Sequence, residues 1–501
     1  MTGFQWFSRI KPTLFIGAHM EEKAGAQISQ KAFIQATIIL LVLMITAGIL
    51  TRTIPAGAYQ RTLVDGREMI IPDSFQYTTN PAYPIWRWFT APIEVLWGPD
   101  SATIIVILVF LLLIGGAFAI LDKTGILKSA LARIVHKLGN RKYLLLMAVT
   151  LFFMLLGAFF GIFEEVVPLV PLMIALSYLL GWDSLVGLGM SILATNMGFS
   201  AAITNPFTIG VAQKLAGLPL FSGSGLRIII FATFYAILAS FLINYAKKIE
   251  KSPQSSLVYQ EDRVAQPRFT TLDLNQNQMT FAMKRAILWF AVCLILILII
   301  LISGPFIPAI STYSLPLVGV LFFLGAIGAG CFAGVSLKSV LSAAVEGMTG
   351  IAPGIPLILM ASSVKMIVYK GGILDTLLYK ASSSFSHSSP FLSVVLILGL
   401  SLLLEFFISS GSAKAFLLIP ILLPLADLVG VSRQLTVLAY CFGDGFSNLA
   451  YPTSAVLLIS LGLTVVSYPK WIRWTLRLWG WAAVAVLAFL GLGILIQYGP
   501  F

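Results

Sequence analysis

Charge is scarce in this chain of 501 residues: Asp, Glu, Lys and Arg together make up 10% of it, against about 25% in soluble proteins. A water-exposed surface cannot be built from so little charge when 58% of the residues are hydrophobic. Soluble enzymes and disordered chains are therefore excluded. Cysteine is rarer still. Cys293, Cys331 and Cys441 lie in apolar runs, and His19, His136 and His387 are scattered over separate loops, so no disulfide framework or metal-ligand spacing is legible. The net charge of +12 does not signal a nucleic-acid partner, because the basic residues punctuate the apolar segments, where they set orientation in a bilayer.

What is present in abundance is long apolar sequence. Repeated stretches exceed the roughly 18 residues that span a hydrocarbon layer as a helix, which marks an all-α polytopic membrane protein. Spanning helices are expected near 32–53, 101–121, 185–212, 225–246, 286–304, 313–336, 351–368, 434–460 and 472–497. Two further apolar regions, 143–181 and 390–430, are about twice a span but are interrupted by Gly157, Gly161, Glu164 and Glu165 and by Ser409 to Ser412 and Lys414. Both are expected to be re-entrant helical hairpins, since irregular backbone at membrane depth survives only inside protein or beside a water-filled cavity.

The remaining segments are polar. Residues 1–31 carry mixed charge without the apolar stretch or cleavage site of a signal peptide, and a cytoplasmic N-terminal segment is expected. Residues 54–100 read as an outer loop, with a β-hairpin around Asp65-Gly66 and a Trp-rich interfacial helix over Pro84–Trp97. Residues 247–285 read as a cytoplasmic linker between two halves, 32–246 and 286–501.

The halves repeat. Lys123, Gly125, Ile126 and Leu127 recur as Lys370, Gly372, Ile373 and Leu374; Phe159-Phe160 recurs as Phe406-Phe407; Gly198-Phe199-Ser200 recurs as Gly445-Phe446-Ser447. Each pair is offset by 247 positions, as in 370 less 123. Between the helix at 101–121 and its counterpart at 351–368 lie five helix steps, an odd number, so the copies should be inverted. Charge agrees: Lys123, Lys128, Arg133, Lys137, Arg141 and Lys142 stand before the first hairpin, whereas the equivalent segment has only Lys370 and Lys380. Inverted repeats with interrupted helices meeting at mid-membrane point to a secondary transporter.

Chemistry should reside at the interruptions. In the first tip, Glu164 and Glu165 place two carboxylates where each costs about 2.5–3.5 kcal/mol unless paired, protonated or hydrated; substrate contact and helix capping are both open. In the second tip, Ser409, Ser410, Gly411 and Ser412 offer hydroxyls and amides at a helix start, suited to an anion but also to simple capping. Lys414 is expected to neutralise Glu405. The helix at 185–212 breaks between Asn196 and Thr204-Asn205-Pro206, and that at 434–460 between Asp444 or Asn448 and Pro452-Thr453-Ser454. Proline there frees carbonyls and amides to hold an ion or substrate. The candidate substrate-binding set is thus Glu164, Glu165, Asn196, Thr204, Asn205, Ser409, Ser410, Gly411, Ser412, Asp444, Asn448, Thr453 and Ser454.

Several motifs give the chain a family likeness: Gly115-Gly116-Ala117-Phe118, Phe160-Gly161-Ile162-Phe163-Glu164-Glu165, Asn205-Pro206-Phe207, Ser222-Gly223-Ser224-Gly225-Leu226-Arg227 and Tyr451-Pro452-Thr453-Ser454. With them the sequence resembles the C4-dicarboxylate anaerobic-carrier family of the ion-transporter superfamily, in its branch of basic amino-acid antiporters. The resemblance implies an elevator-type transporter: a homodimeric scaffold beside a mobile domain, holding hairpins and broken helices, that carries the site across the membrane. Thr204-Asn205-Pro206 and Tyr451-Pro452-Thr453 match in part a Ser-Asn-Thr sodium motif of better-studied relatives.

The expectation is therefore a secondary carrier, antiporter or ion-coupled symporter, in the bacterial inner membrane. Its partners would be the bilayer and a small carboxylate-bearing metabolite, most of all a basic amino acid such as arginine or ornithine. The alternative is a C4-dicarboxylate transporter coupled to protons or sodium. No enzyme activity or cofactor is expected, with a proton or sodium ion open as the coupling ion. An intramembrane hydrolase using Asp444 or Ser410 lacks a credible partner group, and a passive channel is the remaining minor option.

Overall fold

The breaks that the sequence places inside its apolar runs decide how the helices stack. The computed structural model describes residues 30–64, 67–79, 81, 83–127, 129–130, 133, 135, 139–266, 280–303, 307–382 and 388–499. The N-terminal segment to residue 29, the Asp65-Gly66 turn, Lys128, Lys137, the three histidines and linker residues 267–279 lie outside them.

Nine of the described helices are long and apolar enough to cross a bilayer: Phe33–Thr53, Ser101–Lys123, Lys142–Phe160, Ser184–Leu215, Ser224–Lys251, Phe281–Ser303, Tyr313–Phe332, Gly411–Leu428 and Tyr468–Leu495. This is an integral membrane protein. The run at 434–460, expected to be interrupted, is two helices, Arg433–Ser447 and Ala455–Gly462, because Ser454 caps a new start after Pro452. The set differs from the sequence expectation in two places. Two hairpin arms, Lys142–Phe160 and Gly411–Leu428, are themselves long enough to span. Between the spans expected at 313–336 and 351–368, to which the sequence assigned no element, lies the helix Leu337–Ile351, joined at a 41° bend to Gly354–Lys370.

In the outer loop Arg61–Val64 pairs antiparallel with Arg67–Ile70, and Trp86–Glu94 is helical. Helix Ser224–Lys251 runs on into the expected linker, which also holds the helix Tyr259–Ala265. That short helix is tied down by Asp262, which accepts hydrogen bonds from the Tyr178 hydroxyl at 2.8 Å and the Ser184 amide at 3.0 Å. Asp183 accepts from Tyr245 at 2.6 Å and Ser256 at 2.7 Å.

Helices Ser101–Lys123, Phe281–Ser303, Pro308–Phe332 and Leu337–Ile351 pack together as one layer. A Cβ on Gly347 would lie 2.2 Å from the Gly115 carbonyl oxygen, so the Gly115-Gly116 motif serves close helix approach. Outward-facing Leu288, Ile295 and Ile299 are exposed as lipid contacts require. The most apolar 18 residues of helix Ser184–Leu215, by contrast, are wholly buried.

Both interrupted regions turn back on themselves. Tyr143, opening the first, and Trp182, closing it, have ring centroids 6.0 Å apart and both hydrogen-bond to Glu250, the penultimate residue of helix Ser224–Lys251. The second has its ends at the other pole: Phe391 lies beside Gly491, and Ser432 donates to the Tyr498 carbonyl. Tyr498 in turn bonds Arg227 and Gly223 at the start of helix Ser224–Lys251. The hairpins therefore open at opposite ends of that helix.

Candidate functional site

Glycines bring the four interruptions into contact. At the first tip the helix loosens over Leu156–Phe160 and stops at Gly161, whose φ of 67° lies in the left-handed region that glycine tolerates. Gly161 rests on the Asn205 side chain, and Gly157 on the Thr195 carbonyl. The first broken helix ends at Ala202, left-handed at φ 45°, a conformation that costs a non-glycine residue about 1 kcal/mol or more and marks a constrained site. Thr204 then crosses back to the tip, its amide donating to the Ala158 carbonyl at 3.1 Å and its hydroxyl to that of Phe159 at 3.0 Å.

The two broken helices touch where the repeated motifs meet: a Cβ on Gly445 would sit 2.5 Å from the Ser200 Cα. The second broken helix meets the second tip through the Tyr440 hydroxyl, which donates to the Gly411 carbonyl. A Cβ on Gly411 would be 2.8 Å from Asp444 Oδ2 and 2.9 Å from the Thr208 methyl. First break, second break and second tip thus close a ring of contacts, to which the first tip is joined through the first break.

The candidate residues divide around this ring. Glu164 is solvent-exposed although protein surrounds it, as a side chain lining a crevice would be, and it has Glu165 and Asp444 within Coulombic reach. Glu165 turns away. It accepts from the Ser314 hydroxyl at 2.7 Å and lines an apolar cavity of about 390 Å³ bounded by Phe152, Leu156, Leu294, Leu298 and Val318. Asn205 caps the restarted helix, accepting from the Phe207 amide at 2.9 Å and the Thr208 amide at 3.3 Å. Ser410 caps the second arm through the Ala413 amide, and Ser454 the helix Ala455–Gly462. Ser409 is exposed and Ser412 buried; Asn448 is buried at the second break, with Thr453 half-buried beyond it.

Several buried polar atoms here have no partner among the described residues: both amide atoms of Asn196, Asn205 Nδ2, Thr208 Oγ1 and Asp444 Oδ2. Orphaned groups at a mid-membrane break cost about 1–3 kcal/mol each and mark where a ligand, ion or water would be held. Lys414 is fully buried. It pairs with Glu405, as its sequence position suggested, and also with Asp444 Oδ1 at 2.8 Å.

Thr208 and Arg227 carry weight that sequence reasoning did not assign. All five Arg227 N–H donors are used: Nε and Nη2 on the Ile203 carbonyl at 3.3 and 3.1 Å, Nη2 on Phe221 at 3.0 Å, and Nη1 on the Ser222 carbonyl at 2.8 Å and the Tyr498 hydroxyl at 3.1 Å. The guanidinium holds a carbonyl freed by the first break. Its place in the Ser222–Arg227 motif was the only sequence signal.

Comparison with a family model shows the family of this chain. The profile of the C4-dicarboxylate anaerobic carriers matches residues 33–496. An Escherichia coli (strain K12) protein named "Putative basic amino acid antiporter YfcC" is 32% identical over 472 residues, covering 87% of this chain and 91% of that one. An uncharacterised Haemophilus influenzae protein is 26% identical over 378 residues, covering 75% of this chain and 72% of its own length. The crystal structure of the YdaH transporter of Alcanivorax borkumensis aligns over 94% of this chain and 99% of its own with a TM-score of 0.39 and 18% identity.

Proposed function

We propose that this chain, which belongs to the C4-dicarboxylate anaerobic carrier family, exchanges a basic amino acid such as arginine or ornithine across the bacterial cytoplasmic membrane. The observation that carries the reading is one carboxylate from each half, Glu164 at the first tip and Asp444 against Gly411 of the second tip, within Coulombic reach of one another. With Glu165 turned away, three carboxylates, Glu164, Glu405 and Asp444, stand there against Lys414 and Arg227. An excess of negative charge at low dielectric selects a cationic ligand. Ser409, Ser410, Ser412 and the amides opening Gly411–Leu428 would receive its carboxylate, while Asn196, Asn205, Thr208, Asn448, Thr453 and Ser454 complete the polar wall.

In this reading the halves are inverted copies, supported by hairpins that open at opposite ends of helix Ser224–Lys251 and by the common offset of 247. The two hairpins and two broken helices move as an elevator against the layer formed by helices 101–123, 281–303, 308–332 and 337–351. The carrier works as a homodimer with its N-terminus in the cytoplasm, and the Lys251-to-Phe281 connection lies on that side.

The test is arginine uptake into proteoliposomes, with and without preloaded ornithine. Uptake stimulated by internal ornithine is expected; no exchange with any basic amino acid would remove the cationic-substrate reading. The family's name favours a second reading, C4-dicarboxylate transport with a proton or sodium ion, and inhibition by succinate or fumarate rather than by ornithine would establish it.

A further inference from the structure

We infer that Lys414 is a tethered stand-in for the substrate's cationic group: in the empty carrier its ammonium occupies Asp444, and a cationic substrate binds by taking Asp444 from it. The inference rests on the basic amino-acid reading above and assigns a competitor built into that same site.

The geometry gives Lys414 two seats. Its Nζ touches Glu405 on the preceding hairpin arm and lies 2.8 Å from Asp444 Oδ1 on the second broken helix, and the three side chains are 0%, 2% and 1% exposed. A purely structural ion pair requires one carboxylate for one ammonium. The second makes the dry cluster a net anion, an arrangement that burial penalises unless a further cation arrives. Asp444 is the carboxylate left incomplete: its Oδ2 has no partner among the described residues, and it points to the second tip beside Gly411 and the unpartnered Thr208 hydroxyl.

Exchange of partners strands no charge. When a guanidinium or ammonium reaches Asp444, Lys414 stays on Glu405, and its flexible four-carbon stem needs only a small swing. Each carboxylate then holds one cation. A neutral amino acid of the same shape cannot do this, because displacing the lysine would leave Asp444 buried and unpaired, which burial heavily penalises. Selectivity for cationic over neutral substrates thus comes from a repulsive element in the protein as well as an attractive one.

The test measures equilibrium binding of radiolabelled arginine to the purified full-length protein, with citrulline, its neutral isostere, as competitor. Wild type should bind arginine and be little affected by citrulline. Lys414→Gln removes the resident competitor and should tighten arginine binding by roughly tenfold, as raising the competent fraction of sites does. Glu405→Gln leaves Lys414 only Asp444 and should weaken binding by a similar factor. Lys414→Arg, which keeps the buried charge, supplies a stronger bidentate holder of Asp444 and should also weaken it. Arginine binding that is weakened by Lys414→Gln as well, or untouched by all three changes, would make the lysine a structural pair and overturn the inference. Wild type that binds arginine in that case leaves the proposed function standing. Absence of arginine binding from wild type and every variant removes both.

Discussion

Gly445 and Ser200 bring the two broken helices into backbone contact: a Cβ on Gly445 would meet the Ser200 Cα at 2.5 Å and its Oγ at 2.5 Å. The clash is largely with main chain, which cannot rotate away. Gly445→Ala should therefore destabilise the protein by about 1–3 kcal/mol, the usual cost of overpacking. Gly399→Ala is the control, since nothing lies within 4 Å of the added methyl. Thermal unfolding in detergent checks the pair, and equal midpoints would contradict the contact.

The neighbouring glutamates should separate in function. Glu164 is exposed at the first tip, whereas Glu165 is held by Ser314 on helix Pro308–Phe332. Glu164→Gln should weaken arginine binding by about tenfold or more, the worth of a charged hydrogen bond, and Glu165→Gln should leave equilibrium binding within about twofold. Matching losses at both positions in the same binding measurement would reassign the first tip.

The docked linker helix should respond to pH. Burial, and then the charge of Asp183, push Asp262 up from 3.8 to about 7. Between these two values the docked state holds more protons than the undocked one, so docking is strongest at low pH and is lost progressively as pH rises toward and past 7. A spin label at Gln260→Cys, in a Cys331→Ser background, should gain mobility between pH 5 and pH 8. Asp262→Asn should abolish that dependence. A label whose mobility is flat in the parent protein would refute it.

The inverted arrangement predicts opposite accessibility for the two poles. Lys251 and Gln497 are exposed and lie at opposite ends of the 28-residue helix Ser224–Lys251, which Tyr498 grips at its start. An impermeant maleimide applied to intact cells should label Gln497→Cys and not Lys251→Cys, again without Cys331. Labelling of both, or of neither until lysis, would sink the two-sided arrangement.

Much of the fold was legible because polar and small residues are rare enough here to be informative. Gly157, Gly161 and the Ser409–Ser412 run announce interruptions in otherwise unbroken apolar sequence, and Pro206 and Pro452 accompany the breaks. The helix Leu337–Ile351 was not legible: at 15 residues, with Lys338 and Glu346 in it, it is shorter and more polar than a span. Nor could sequence choose between Glu164 and Glu165, which differ only by the rotation of the chain at Phe163. Arg227 sits on an apolar helix, and the Ile203 carbonyl it binds becomes available only once residues 202–205 have left helical geometry.

Glu250 gathers Tyr143, Trp182 and Lys142, riveting the first hairpin to helix Ser224–Lys251 at its base. In the proposed elevator motion, displacement of that hairpin drags this helix along, which puts the slip plane elsewhere, at the face shared with helices 281–303 and 308–332. There the surfaces are smooth hydrocarbon around a void, with Glu165 on Ser314 as a polar catch. A track of that kind offers little friction and one detent, and unhooking a single hydroxyl is then the toll for each passage.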